Sequence, residues 1–421
     1  PPPPSVQAED GIRDCLLSLV GSEMCIRDRF SSCLRAQSWN CSPPINVTGS
    51  AKAGVFHHLE SSGRRNIAVS GDIVGIAWED DSDGIPRIYL ARKNLDSNHF
   101  DTKVSISGEG EAYEPSIMSL GEGLFAIGWE EDEQVSLRIV TPEKMGPILK
   151  IGNKTAAQAS LASLDDSIMV VHSEQAQRYG KIMLQELKIT DENQLSPVKR
   201  CAVDSEPLKN DQLYPVIAVL QGQVNVAWED RRFGHTVIMH SQASPDDSCQ
   251  FTPPLRISEK PKGSGSPYGA GHGVARVTLA SYGSSWLYAV WADKRDYREG
   301  YDIFGAAKKG GDVFGPNMRV QDDFGENARQ WHATVAGQRN GQLVAAWTDE
   351  RDGNMDIWYS QLEDGQWSDD HVIAAASGSG IQYHPSITLD QSGNLHVAWI
   401  YRQTGDGPTQ IRYVQARRKK D

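Results

Sequence analysis

Val226–Ser241 reads VAWEDRRFGHTVIMHS. Alternating apolar residues lead up to Trp228, Asp230 and Arg232 follow at two-residue steps, a Gly-His turn intervenes, and a second apolar run begins. Alternation with period two is the mark of a strand with one buried face, so the stretch reads as strand, turn, strand. Nearly the same text recurs in Gln342–Ser360 (QLVAAWTDERDGNMDIWYS) and Trp291–Ala306 (WADKRDYREGYDIFGA). A recurring hairpin of this kind decides the fold.

Equivalent anchors are Trp78, Trp129, Trp228, Trp291, Trp347 and Trp399, with His172 in the Trp place of a weaker copy. The seven copies recur with a period of about 54 residues. A third-strand Ile lies ten residues past the anchor at Ile88, Ile139, Ile182, Ile238 and Ile357, and twelve past it at Ile303 and Ile411. Upstream of the anchor lies another short strand, as in PSIMS (115–119) and PSITL (385–389), and downstream a fourth, as in LRIS (255–258) and HVIA (371–374). Four antiparallel strands per repeat predict an all-β, seven-bladed β-propeller. The last copy stops after its third strand, QIRYVQA (410–416), and an orphan strand INVT (45–48) precedes the first. The N-terminal strand is therefore expected to complete the last blade and close the ring, which removes open sheet edges. This makes 45–421 one domain and leaves 1–44 outside it.

Asp or Glu stands two residues past the anchor Trp in five of the six Trp copies: Asp80, Glu131, Asp230, Asp293 and Asp349, the last three followed by Arg232, Arg295 and Arg351. A feature shared by several blades reads as a brace for each hairpin, worth ~0.2–1 kcal/mol if exposed. Glu79-x-Asp81-x-Asp83-Gly84 lacks a calcium loop's final acid, since Leu90 stands there, and no metal or other cofactor is expected.

Between the third and fourth strands of one copy, Ser244–Phe251 reads SPDDSCQF. It resembles the Asp-box of the sialidase superfamily, with Ser248 and Phe251 at the Gly and Trp positions; weaker echoes are LDSNHF (95–100), KGGDVF (309–314) and LEDGQW (362–367). The resemblance implies a carbohydrate-handling propeller. It does not carry over the arginine triad of sialidases: those enzymes are usually six-bladed and have an Arg-Ile-Pro motif, whereas this chain counts seven and has only Ile85-Pro86-Arg87.

Chemistry is expected where the copies differ. The residue three before the first-strand Ile or Val is Arg64, Glu114, Gln158, Tyr214, Val274, His332 and His384, with His272 an alternative in blade five. The innermost strands line a propeller's channel, so these residues should converge on one funnel. Glu114, Tyr214, His332 and His384 are the candidate catalytic residues; Arg64 is a candidate ligand clamp, and Tyr113, Trp331 and Tyr383 could stack on a sugar. Blade five adds a long Gly-rich loop (260–273) and an extended turn, whose Tyr268, His272, Tyr297 and Arg298 are candidates for a ligand rim.

The net charge of −13 excludes a phosphate-backbone partner, and no apolar run approaches the ~20 residues of a membrane helix. A glycan or polysaccharide is the expected partner, bound by a monomer. Leu19–Asp28 (LVGSEMCIRD) resembles the translation of a sequencing-library adapter, which marks 1–29 as an expected artefact. Leu34–Gln37 could be the remnant of a signal-cleavage site, and a secreted, periplasmic or cell-surface location is expected. Cys201 and Cys249 either pair or stay free thiols. Three functions follow: a glycosidase, a uronate polysaccharide lyase using His, Tyr and Arg, or a non-catalytic glycan- or protein-binding propeller.

Overall fold

The computed structural model describes residues 39–59, 64–190, 192–244, 246–259, 273–295, 300–324 and 328–418. They form a seven-bladed β-propeller of antiparallel, four-stranded blades with one short 3-10 turn, Ala374–Ala376. Numbered in chain order, the blades have second strands at Ile73–Asp80, Leu124–Glu131, Ser167–Ala176, Gln223–Asp230, Trp286–Asp293, Leu343–Asp349 and Leu395–Arg402. Each hydrogen-bonds to a first strand on the axis side and a third strand on the outer side. Every anchor Trp ends such a second strand, as the repeat predicts.

Ring closure also follows the expectation, with more chain than expected. Ile45–Asn46 pairs with Tyr413 and Arg412 on the third strand of blade seven. Pairing begins before Ile45, however: Trp39–Cys41 continues along the same strand, opposite Arg418–Ala416, and Trp39 is buried between blades six and seven. Trp39 escaped the sequence reading because a three-residue strand carries no periodicity of its own.

The core is a ring of seven apolar clusters among the described residues, one in each gap between neighbouring blades. Successive side chains on a strand point to opposite faces. Each anchor Trp therefore faces the preceding blade, where all six are fully buried. The residue two further on shares that face, and its acid accepts the indole N–H: Trp129 donates to Glu131 at 2.8 Å, Trp228 to Asp230 at 2.9 Å and Trp347 to Asp349 at 2.9 Å. The same carboxylates accept their own turn's backbone N–H, as Arg232 and Arg351 donate to Asp230 and Asp349. The expected hairpin brace is thus present, and its carboxylates are buried, so losing one partner costs more than for a surface pair. In blade seven Tyr401 replaces the acid, and Gln382 accepts the Trp399 N–H at 2.7 Å.

The aromatics that end LDSNHF, SPDDSCQF, KGGDVF and LEDGQW share one role. Phe100, Phe251, Phe314 and Trp367 pack against the cluster shared with the preceding blade, and Trp367 donates to Tyr288 at 2.8 Å. Cys201 and Cys249 form a disulfide between blades three and four.

Candidate functional site

In blades two to seven a β-bulge interrupts the first strand near its start, between Tyr113/Ser116, Ala157/Ser160, Leu213/Val216, Ala275/Thr278, Trp331/Thr334 and Tyr383/Ser386. At the centre of each bulge one residue has a left-handed backbone: Glu114 (φ 57°), Gln158 (63°), Tyr214 (52°), Arg276 (60°), His332 (54°) and His384 (51°). None is glycine, and each such conformation costs of order 1 kcal/mol. The bulge also takes that residue's N–H out of the ladder, where it needs another acceptor.

The acceptor comes from the preceding blade. The residue after the anchor Trp faces forward, by the same alternation that turns the Trp backward. Glu130 Oε1 accepts the Gln158 N–H at 2.7 Å, Glu229 Oε1 the Arg276 N–H at 2.8 Å, and Glu79 Oε2 the Glu114 N–H at 3.4 Å. Thr348 does the same for His384 at 3.2 Å. In blade three the position is Ser173, too short to reach; it donates to Gln158 Oε1 at 3.0 Å, and that oxygen accepts the Tyr214 N–H at 2.7 Å.

These bulges bring the sequence-derived ring to one end of the channel. A cavity of about 450 Å³ is lined there by Glu114, Tyr214, His384, Tyr113, Gln158 and by Glu79, Glu130 and His58. His332 is outside its lining but contacts His384, ring to ring, at 3.8 Å. Trp331 and Tyr383 are not in the cavity wall either. Trp331 lies flat on His332 (4.8 Å, 16°), and the Tyr383 hydroxyl accepts from Arg402 Nε at 3.2 Å. Arg64 is buried behind the wall; its guanidinium donates to the Glu114 carboxylate and lies 3.8 Å from Glu130 Oε1. Tyr268, His272, Tyr297 and Arg298 lie outside the described residues.

One assignment needs correction. In blade five the ring position belongs to Arg276, not Val274: Leu279 pairs with Ala289, two before Trp291, as Ile117 pairs with Ile127 before Trp129. The Arg276 guanidinium stacks on the Tyr214 ring at 3.6 Å, and its Nη1 lies 3.7 Å from Glu229. In blade one the first strand is broken into His57–His58 and Ile67–Ser70, and Arg64 lies in the connection. His58 thereby takes the register place of Tyr113, opposite the residue after the anchor.

Sequence reasoning missed the three forward-facing carboxylates Glu79, Glu130 and Glu229. Their signal was the Trp-Glu pair in WED and WEE, whose alternation places Glu on the face opposite the Trp. Glu79 and Glu130, with Glu114, make the cavity wall acidic, whereas Glu229 lies outside its lining. Burial raises the Glu229 carboxyl, opposed by the Arg276 N–H and charge. The Tyr113 hydroxyl, donating to Glu111 at 2.6 Å, is pushed up to about 12, first by that bond.

No family model and no curated protein matches the chain. Solved structures do match. A protein of unknown function from Dyadobacter fermentans is 10% identical with TM-score 0.53, over 91% of this chain and all of that one. A Mycobacterium tuberculosis puromycin-hydrolysing peptidase is 11% identical with TM-score 0.49, over 84% of this chain and 51% of that one. An α-L-arabinofuranosidase from Fusarium graminearum is 10% identical with TM-score 0.46, over 89% and 97%. At such identity the likeness is one of fold, and function must be argued from the site.

Proposed function

We propose that this chain is a carbohydrate-active propeller that takes a neutral glycan into the funnel and hydrolyses it there. The observation that carries the reading is the placement of Glu114 and Glu130 on the wall of one cavity, either side of the Arg64 guanidinium. Two carboxylates sharing one guanidinium are less than about 10 Å apart, within the span over which hydrolytic pairs work. One carboxyl would protonate the leaving oxygen, and the other would act as nucleophile or activate water. Tyr113 and Tyr214 offer ring faces beside them, the usual partners of a sugar's apolar face. The Asp-box resemblance supports a glycan-handling role.

The charge of the wall separates this reading from its rivals. Glu79, Glu114 and Glu130 outnumber Arg64, so a uronate or a sialic acid meets net repulsion on this side. A neutral sugar does not. That weighs against the polysaccharide lyase and against sialidase activity. The Cys201–Cys249 disulfide supports a location outside the reducing cytosol.

A non-catalytic glycan-binding propeller is the second reading. It is favoured by the structural engagement of Glu79 and Glu130, each of which holds the next blade's bulge N–H. Glu114→Gln and Glu130→Gln divide the two. In a hydrolase either change should cut kcat at least a hundredfold while glycan affinity stays within a few-fold. Unchanged turnover in both variants would reject the carboxylate mechanism.

A further inference from the structure

The strands that carry the ring also close the axis beneath it. Two residues past the ring position stand Asn66, Ser116, Ser160, Val216, Thr278, Thr334 and Ser386, one from each blade, and all are buried. The next residue is buried too, except in blade three, where Leu161 is half-buried and lines a cavity below. Consecutive strand residues point to opposite faces, so one of each pair faces the axis. In an open channel that residue would be wetted, and here it is not. Asn66 stitches this layer across three blades. Its N–H donates to Ser386 Oγ of blade seven at 2.9 Å, and its side-chain amide donates to the carbonyls of Ala77 at 3.2 Å and of Pro115, in blade two, at 3.1 Å. The cavity below, of about 240 Å³, shares no lining residue with the funnel. Among the described residues the funnel is therefore a pit with a floor.

The pit is shallow. Glu114 stands two residues above the floor, roughly 7 Å along a strand. The volume of about 450 Å³ corresponds to roughly fifteen water volumes, space for a terminal mono- or disaccharide. Its side wall is fixed as well: the Arg276 guanidinium stacks on the Tyr214 ring at 3.6 Å, and Gln158 holds the Tyr214 N–H at 2.7 Å. A polymer cannot thread through such a site, so what reaches the carboxylates is the end of a chain.

We propose that the funnel acts on glycan chain ends. The pit seats the terminal mono- or disaccharide of a neutral glycan, and the bond cleaved is the one joining it to the chain outside. This rests on the hydrolytic reading of Glu114 and Glu130. In the step, the glycosidic C–O bond at the anomeric carbon breaks and the oxygen of a water molecule bonds to that carbon. One proton of that water ends on the leaving oxygen, and nothing is oxidised or reduced.

Debranched arabinan, xylan and laminarin incubated with the full chain test it, with products sized from the earliest times and viscosity followed beside reducing ends. The expected result is mono- or disaccharide from the start while viscosity barely falls. Early fragments of intermediate length, with viscosity collapsing at few new reducing ends, would overturn the inference and leave the hydrolase standing. If none of the three is cleaved, the hydrolytic reading fails for them and binding decides the rest. Calorimetry would then compare oligosaccharides of the same glycans with intact ends, with the reducing end reduced by borohydride, and with the other end capped. Affinity lost on changing one end supports the pit and names that end. Affinity indifferent to both ends, or no binding, would overturn it.

Discussion

The side-chain Oε1 of Gln158 accepts the backbone N–H of Tyr214 at 2.7 Å, across the gap between blades three and four. In blades two, three, five and seven a Glu or Thr after the preceding blade's anchor Trp does this work, and here the left-handed residue itself does it. Replacing Gln158 with Met leaves the Tyr214 N–H without its acceptor and should cost about 1–3 kcal/mol in urea unfolding. Gln158→Glu keeps the acceptor and should cost much less. Equal losses would show that the bond contributes nothing particular.

The buried lock behind each anchor Trp gives a second expectation. Asp349 is fully buried, accepts the Trp347 indole N–H and pairs with Arg351 at 2.7 Å. Asp349→Ala strands both partners and should destabilise the fold by about 3–5 kcal/mol. Asp293→Ala, with Arg295 more exposed than Arg351, should lose less. Chemical denaturation of the two variants side by side checks the order.

Arg351 serves three carboxylates, Asp349, Asp322 and Asp370. One guanidinium cannot neutralise three. Asp370 bears the consequence: burial first, and Asp322 beside it, raise its carboxyl to about 8 against the opposing pull of Arg351. A raised carboxyl binds its proton more tightly in the folded state. Its contribution to stability is therefore full below about pH 4 and is lost as pH rises through about 8. Asp370→Asn should flatten this slope, so that its melting temperature exceeds the wild-type value at pH 9 by more than at pH 5. A parallel pair of melting curves against pH would contradict it.

The Cys201–Cys249 bridge closes a loop of 48 residues and joins the outer strand of blade three to blade four. Loop-closure entropy for that length is about 4 kcal/mol. Cys201→Ser with Cys249→Ser should lower stability by up to that amount, read by urea unfolding without reductant. No change would mean that the denatured chain is already constrained.

Much of this architecture was legible in the sequence because its signal repeats. Six tryptophans and one histidine set the blade count, and the strand before the first copy closed the ring. The equivalent bulge position of Glu114, Tyr214, His332 and His384 was legible because counting back from one buried strand residue preserves register from blade to blade. Blade five failed for a physical reason. In VARVTLAS, Val277 and Leu279 are two apart, share a face and fit the alternation equally well, so a slip of two residues left no trace. Only pairing with Ala289 separates them, and that is a long-range fact. Glu79, Glu130 and Glu229 were passed over because the more regular Asp two places after the Trp drew the eye to the wrong face. The disulfide was open for a related reason: spacing alone cannot say which strands become neighbours.

The most direct test of the central claim is a reducing-end assay on the full chain. The panel would hold neutral polysaccharides, arabinan among them, beside uronate and sialic-acid polymers, with ultraviolet absorbance recorded for unsaturated uronates. The account expects new reducing ends from a neutral glycan, no absorbance change, and loss of the signal in Glu114→Gln. Unsaturated products from a uronate polymer, or reducing ends that survive Glu114→Gln and Glu130→Gln together, would contradict it.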